Sequence, residues 1–140
     1  MNLSIFVDGG SRGNPGHSAI GVVIYDGAGT VVEEFSKYIG INTNNAAEYE
    51  ALIAGLELAG KFNPKTIKIH MDSELIYNQM LGRYKVKNEN MLKYFQTARQ
   101  LVLGLKKVEL ISIPREKNTA ADKLVNQALN IQIPLLDSQK

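Results

Sequence analysis

Three stretches near the start of the chain crowd β-branched and aromatic residues together: Leu3 to Val7, Ser18 to Tyr25 and Val31 to Tyr38. "GGSRGNPG" and "DGAG" separate them, so the pattern predicts three strands joined by turns. The period then changes. From Asn45 to Ala59, "NAAEYEALIAGLELA" is rich in helix formers, places apolar residues at Leu52, Leu56 and Ala59, and follows a capping residue in Thr43 or Asn44. Thr66 to Asp72 reads as a fourth strand that ends on an aspartate, and "SELIYNQML" as a helix capped by Ser73. Asn88 to Leu105 is a further helix, Val108 to Ile113 a fifth strand and Thr119 to Leu129 a last helix.

The order is βββαβααβα. Short turns between the first strands make an antiparallel meander, and helices between the later ones make crossovers. The expected fold class is therefore α/β, with a mixed five-stranded sheet, three antiparallel strands then two parallel strands, flanked by helices. A length of 140 residues suits a single domain, 1–140, with 130–140 as a C-terminal tail. Its "IQIPLL" is expected to fold back on the body in extended form, with Pro134 holding it so.

Composition narrows the class. With 44% hydrophobic and 21% charged residues and no apolar run near the roughly 20 that span a bilayer, a membrane-spanning chain is not expected. The first residues lack a basic lead-in and a small-residue cleavage site, so the expectation is a cytoplasmic monomer without a signal peptide. The absence of cysteine excludes disulfides and thiolate metal sites, which leaves oxygen and histidine as metal ligands. A net charge of +2 neither demands nor forbids a polyanion.

The glycine-rich stretch after Asp8 invites comparison with a phosphate-binding loop. Its glycines at 9, 10, 13 and 16 fit neither GxGxxG nor a P-loop, and the chain runs on into a strand rather than a helix whose amides could hold an anion. The acidic residues carry more. Asp8 closes the first strand, Asp72 the fourth, and Glu48 and Asp122 lie in the first turns of two helices. Each has an ordinary explanation, since an acid complements a helix N-terminus and an aspartate often begins a turn. If strands one and four are neighbours, however, their terminal carboxylates meet, and such anions repel unless a cation joins them. Carboxylates without thiolate or imidazole are a hard ligand set, suited to Mg²⁺ or Mn²⁺ and to phosphoryl-transfer chemistry.

"VDGGSRGNPG", "TNNAAEYEAL", "MDSEL" and "IPREKNTAADKLVNQAL", in this order, resemble ribonuclease H of type 1. The resemblance runs from Asp8 to about Leu129. It implies the ribonuclease H-like fold and an endonuclease that cuts the RNA strand of RNA–DNA hybrids with two Mg²⁺ or Mn²⁺ ions. The implied catalytic and metal-binding carboxylates are Asp8, Glu48, Asp72 and Asp122, with Asp8 bridging both ions. Substrate contacts are implied at Gly9, Gly10, Ser11, Arg12, Gly13, Asn14, Thr43, Asn44, Asn45 and Glu74. Amide side chains both donate to and accept from a hydroxyl, which suits them to the 2′-OH that separates RNA from DNA; Thr43 and the asparagines serve equally as helix caps.

Two departures qualify the resemblance. Many members carry a histidine on the loop before the last helix, whereas "SIPREKNTAAD" has none, so Arg115, Glu116 or Lys117 is expected to do part of its work, with Arg115 as the candidate catalytic residue. His17 is expected in the first turn, and His70 as a structural or supporting residue. The long basic protrusion with tryptophan is also missing, and only "GRYKVKN" with Arg83, Lys85 and Lys87 around Tyr84 stands between the middle helices. No separate hybrid-binding domain is expected before Met1. The alternatives are a non-catalytic nucleic-acid-binding domain of the same fold, or a related nuclease acting on double-stranded RNA.

Overall fold

The computed structural model describes residues 1–138. The strands are β1 (Asn2–Gly13), β2 (Gly16–Tyr25), β3 (Val31–Asn42), β4 (Thr66–Met71) and β5 (Val108–Ser112). The helices are α1 (Asn44–Gly60), α2 (Glu74–Met80), α3 (Glu89–Leu103) and α4 (Thr119–Asp137), with a single 3₁₀ turn at Arg115–Lys117. The sheet order is β3-β2-β1-β4-β5. β1 pairs antiparallel with β2, as β2 does with β3, while β1 and β4, and β4 and β5, run parallel. This is the expected mixed sheet.

Alternation along the central strands divides the protein into two layers of packing. Leu3, Ile5 and Val7 of β1 and Ile67, Ile69 and Met71 of β4 are buried with Leu52 and Leu56 of α1, Ile76 of α2 and Ala98 of α3. Across the sheet, Ala19 of β2 packs with Val125 and Leu129 of α4. Two glycines set how closely the helices approach. A side chain at Gly9 would collide with the Ala47 backbone at the start of α1, and one at Gly21 would collide with the Ala121 carbonyl of α4. Both helix N-termini are thereby drawn against the middle of the sheet.

Three expectations are corrected. "GGSRGNPG" is not a turn: β1 continues through Gly13, pairing Asp8 with Gly21 and Gly13 with Gly16, so that only Asn14 and Pro15 make the reversal. The stretch stays regular because every residue finds a cross-strand partner, and only Gly13 takes the left-handed φ of 97° that a residue with a side chain avoids. His17 consequently lies in β2 rather than in a turn, bonded through Nδ1 to the Tyr38 hydroxyl at 2.7 Å.

The third correction concerns the tail. Residues 130–137 are not extended but carry α4 on to Asp137, with Pro134 inside the helix. Proline there forfeits one helical hydrogen bond, but it stands in the last turn, and the carbonyl it leaves unpaired belongs to the exposed Asn130. Ile133 rewards the extension by packing against the Ala19–Val125–Leu129 cluster. The last two residues of the expected tail, 139–140, lie outside the described residues.

Candidate metal centre

The centre forms where two neighbouring strands part. β1 and β4 stay paired from Asn2 opposite Thr66 to Phe6 opposite His70, and beyond that β1 pairs only with β2. Asp8 and Asp72 stand just past the fork, each two residues beyond the last paired position. Glu48 arrives from just past the first turn of α1 rather than within it, because the helix already begins at Asn44, where the Thr43 side chain caps it by accepting the Ala46 N–H at 3.1 Å. The close approach allowed by Gly9 lets its N–H donate to Glu48 Oε1 at 2.6 Å. One carboxylate oxygen from each of Asp8, Glu48 and Asp72 then lies within 4.8 Å of the others.

These anions pay heavily for their proximity. Asp8 and Glu48 are each 8% exposed. Burial, followed by the charges of Glu48, Asp72 and Asp122, pushes the Asp8 carboxyl up to about 10. Burial also raises Glu48, to about 7, although the Gly9 N–H opposes the rise. With both values raised, the pair holds on to a proton that neither carboxyl would keep in water. Three convergent oxygens, poorly solvated and costly to ionise together, fit a hard divalent cation, which would neutralise what a proton otherwise must.

Asp122 is not one of the three. It is exposed in the first turn of α4, near enough for its charge to raise Asp8 but outside the 4.8 Å cluster. Arg115 sits exposed in the 3₁₀ turn, where its charge favours ionised Glu48. Glu74 is exposed in the first turn of α2. His70 gives Nδ1 to the Ile5 carbonyl at 3.0 Å and stacks on Phe6 with ring centroids 4.1 Å apart, a structural placement.

The remaining implied contacts lie along β1 beyond Asp8, at the reversal into β2 and at the start of α1. The Asn14 side chain accepts the Asn44 N–H at 3.0 Å, which fastens the β1–β2 reversal to the start of α1. Ser11 and Ser18 share a 2.6 Å hydrogen bond, and both hydroxyls reach the Asn42 carbonyl at 3.1 Å, locking the strand that leads into Thr43. Asn45 is exposed on the first turn of α1. Arg12 points elsewhere, donating to Asn130 Oδ1 at 2.7 Å and Asn126 Oδ1 at 3.3 Å on α4.

Two features escaped the sequence reading. Asn118 stands at the N-cap position of α4 but caps nothing; 1% exposed, it donates through Nδ2 to the Val7 carbonyl and to Asp72 Oδ2, both at 2.8 Å. Its Oδ1 is buried without a partner. An asparagine before a helix signals a cap, so nothing local distinguished this role. The second feature is a cleft of about 430 Å³ where Asn42, Thr43 and Ala46 face Asn88, Asn90, Met91, Lys93 and Tyr94. Here the N-termini of α1 and α3 meet beside a lysine, a donor-rich setting for an anion.

Known proteins match this arrangement. The family described as "Reverse transcriptase-like" matches residues 6–128. The chain is 42% identical over 131 residues to the bifunctional protein Rv2228c of Mycobacterium tuberculosis, covering 93% of this chain and 36% of that protein, so it spans about a third of that relative's length. The crystal structure of RNase H1 from Halobacterium salinarum superposes with a TM-score of 0.90 at 38% identity, covering 93% of this chain and 98% of that one. LC11-RNase H1, solved in complex with an RNA/DNA hybrid, gives a TM-score of 0.87 at 44% identity over 91% of this chain and 96% of its own.

A mixed sheet in this order, with carboxylates gathered where its central parallel strands part, defines a ribonuclease H-like domain. The chain belongs to the ribonuclease H type 1 family.

Proposed function

We propose that the protein is an endoribonuclease that hydrolyses the RNA strand of RNA–DNA hybrids, with Mg²⁺ or Mn²⁺ as its cofactor and two ions per site. The observation that carries this reading is the cluster of Asp8, Glu48 and Asp72 beside a donor-rich surface. Those three carboxylates would hold the cations, with Asp122 completing the set from α4. When bound, such cations lower the pKa of water and offset charge on a phosphate under attack. Asn14, Asn44 and Asn45 present amides suited to the 2′-hydroxyl, and the Asn14–Asn44 bond fixes the spacing of two of them. Gly10, Ser11, Gly13 and Glu74 are further candidates for substrate contact, Ser11 being held by its bond to Ser18 and Glu74 exposed in the first turn of α2. The cleft around Thr43, Asn88 and Lys93 is placed to take a backbone phosphate of the second strand. Arg115 orients a phosphate through the N–H groups of its guanidinium.

The test is cleavage of end-labelled RNA–DNA hybrid, double-stranded RNA and double-stranded DNA, with Mg²⁺, Mn²⁺ or a chelator, alongside Asp8→Asn. Metal-dependent cleavage of the hybrid that Asp8→Asn abolishes is the expected result. Equal cutting of double-stranded RNA would move the substrate class. No cleavage by the unmodified protein with either metal would leave a binding domain.

A further inference from the structure

Asp122 is the one carboxylate of the set left exposed and outside the cluster, so something must hold it toward the centre. α4 presents Asp122, Asn126 and Asn130 at successive intervals of four, one above another on the helix. Asn126 Nδ2 donates to Asp122 Oδ2 at 3.2 Å and to the Asp122 carbonyl at 3.1 Å. Its Oδ1, with that of Asn130, accepts from one Arg12 nitrogen on β1.

An asparagine amide can turn end for end, presenting oxygen where nitrogen stood. Turned so, Asn126 would set an acceptor against the Asp122 carboxylate and repel it. A guanidinium has donors only, so Arg12 holds both amide oxygens on its own side and leaves the Asn126 N–H facing Asp122. Arg12 lies four residues beyond Asp8 on the same face of β1, so the bridge ties the strand carrying the central carboxylate to the helix carrying the outlying one.

We propose that Arg12 is a positioning residue, which through Asn126 orients the Asp122 carboxylate toward the metal centre, rather than a residue that grips the nucleic-acid backbone. The inference rests on the reading of Asp122 as a metal-binding carboxylate.

The two roles leave different marks. Loss of a phosphate contact raises KM for the hybrid and lowers the salt dependence of binding by about one counterion. Loss of a partner that orients a metal ligand lowers kcat and metal affinity, typically about tenfold or more, and leaves substrate binding alone. Arg12→Ala, Asn126→Ala and the double variant should be compared by kinetics on the hybrid, by the salt dependence of hybrid affinity in chelator, and by the rise in Tm on adding Mn²⁺. The expected result is a roughly tenfold fall in kcat for each single variant at unchanged KM and salt slope. The double variant should be no slower than the singles, and all three should show a smaller Mn²⁺-induced rise in Tm. A raised KM and shallower salt slope in Arg12→Ala, with Asn126→Ala behaving as wild type, would overturn the proposal. Should the wild-type protein leave the hybrid uncut, the hydrolase reading fails by itself, and the Mn²⁺ shift in Asn126→Ala still decides for or against the bridge.

Discussion

At the scale of single residues, the centre sets like charges against one another, and substitutions there act on stability and chemistry in opposite directions. Asp72→Asn keeps the shape and can still accept from Asn118, but removes one of three crowded anions. Cleavage of the hybrid should fall by two orders of magnitude or more, while Tm without divalent metal rises, because a like-charge contact is gone. Calorimetry in chelator paired with a cleavage assay checks both halves; near-normal cleavage would remove Asp72 from the chemistry. Asn118 behaves differently. Asn118→Ala strips a buried partner from the Val7 carbonyl and frees Asp72 to rotate, so stability should drop by about 1–3 kcal/mol and kcat should fall with it. Chemical denaturation and kinetics on the same sample test this, and unchanged values of both would show that the buried amide only fills space.

At the scale of elements, α4 is the part whose length and partners were misjudged from sequence. The helix was expected to stop at Leu129 and Pro134 to hold an extended tail, because proline forfeits a hydrogen bond wherever it falls and only packing decides whether a helix survives it. Ile133 supplies that packing against the Ala19–Val125–Leu129 cluster. Removing residues 131–140 should lower Tm by several degrees, as lost apolar burial requires, yet preserve cleavage at low temperature, since Asp122, Asn126 and Asn130 all precede the cut. An unchanged melting temperature would mean that the last turns of α4 contribute nothing. The paired arms of β1 and β2 were misjudged for the opposite reason: glycines that signal a turn in isolation here continue a strand, and Gly9 among them admits α1 against the sheet.

At the scale of the whole molecule, the buried carboxylates should shape how stability responds to pH. Asp8 and Glu48 have folded-state values of about 10 and about 7, above their ordinary values of 3.8 and 4.5, so the folded state binds protons more tightly than the unfolded chain. Their contribution is complete below about pH 4 and is lost as pH rises through 7 and on toward 10. Metal-free protein should therefore melt at lower temperature as pH rises from 5 to 9. Mn²⁺ should reverse the loss at the alkaline end, since it binds the ionised set. Thermal scans in chelator across that range, with and without added Mn²⁺, give the answer, and a flat or rising profile without metal would contradict the shared-proton arrangement.

What the sequence determined by itself is what depends on local pattern. Apolar periods of two and near four marked nine elements in their correct order, and Asp8 and Asp72 stood out because each comes directly after residues that alternate into the core, although β1 itself continues past Asp8. Thr43 and Ser73 were legible as caps for the same reason, since a cap needs only its own next turn. The tertiary structure alone decided which carboxylates meet. Asp8, Glu48 and Asp72 converge because the parallel pairing of β1 with β4 stops at Phe6 and because Gly9 admits α1, whereas Asp122 remains outside, a separation that no spacing along the chain encodes. The partners of Asn118 and Arg12 were equally hidden: the first reaches a backbone carbonyl 111 residues away, the second an amide 118 residues away, and a side chain's choice among distant hydrogen-bond partners is settled only when packing brings them within reach.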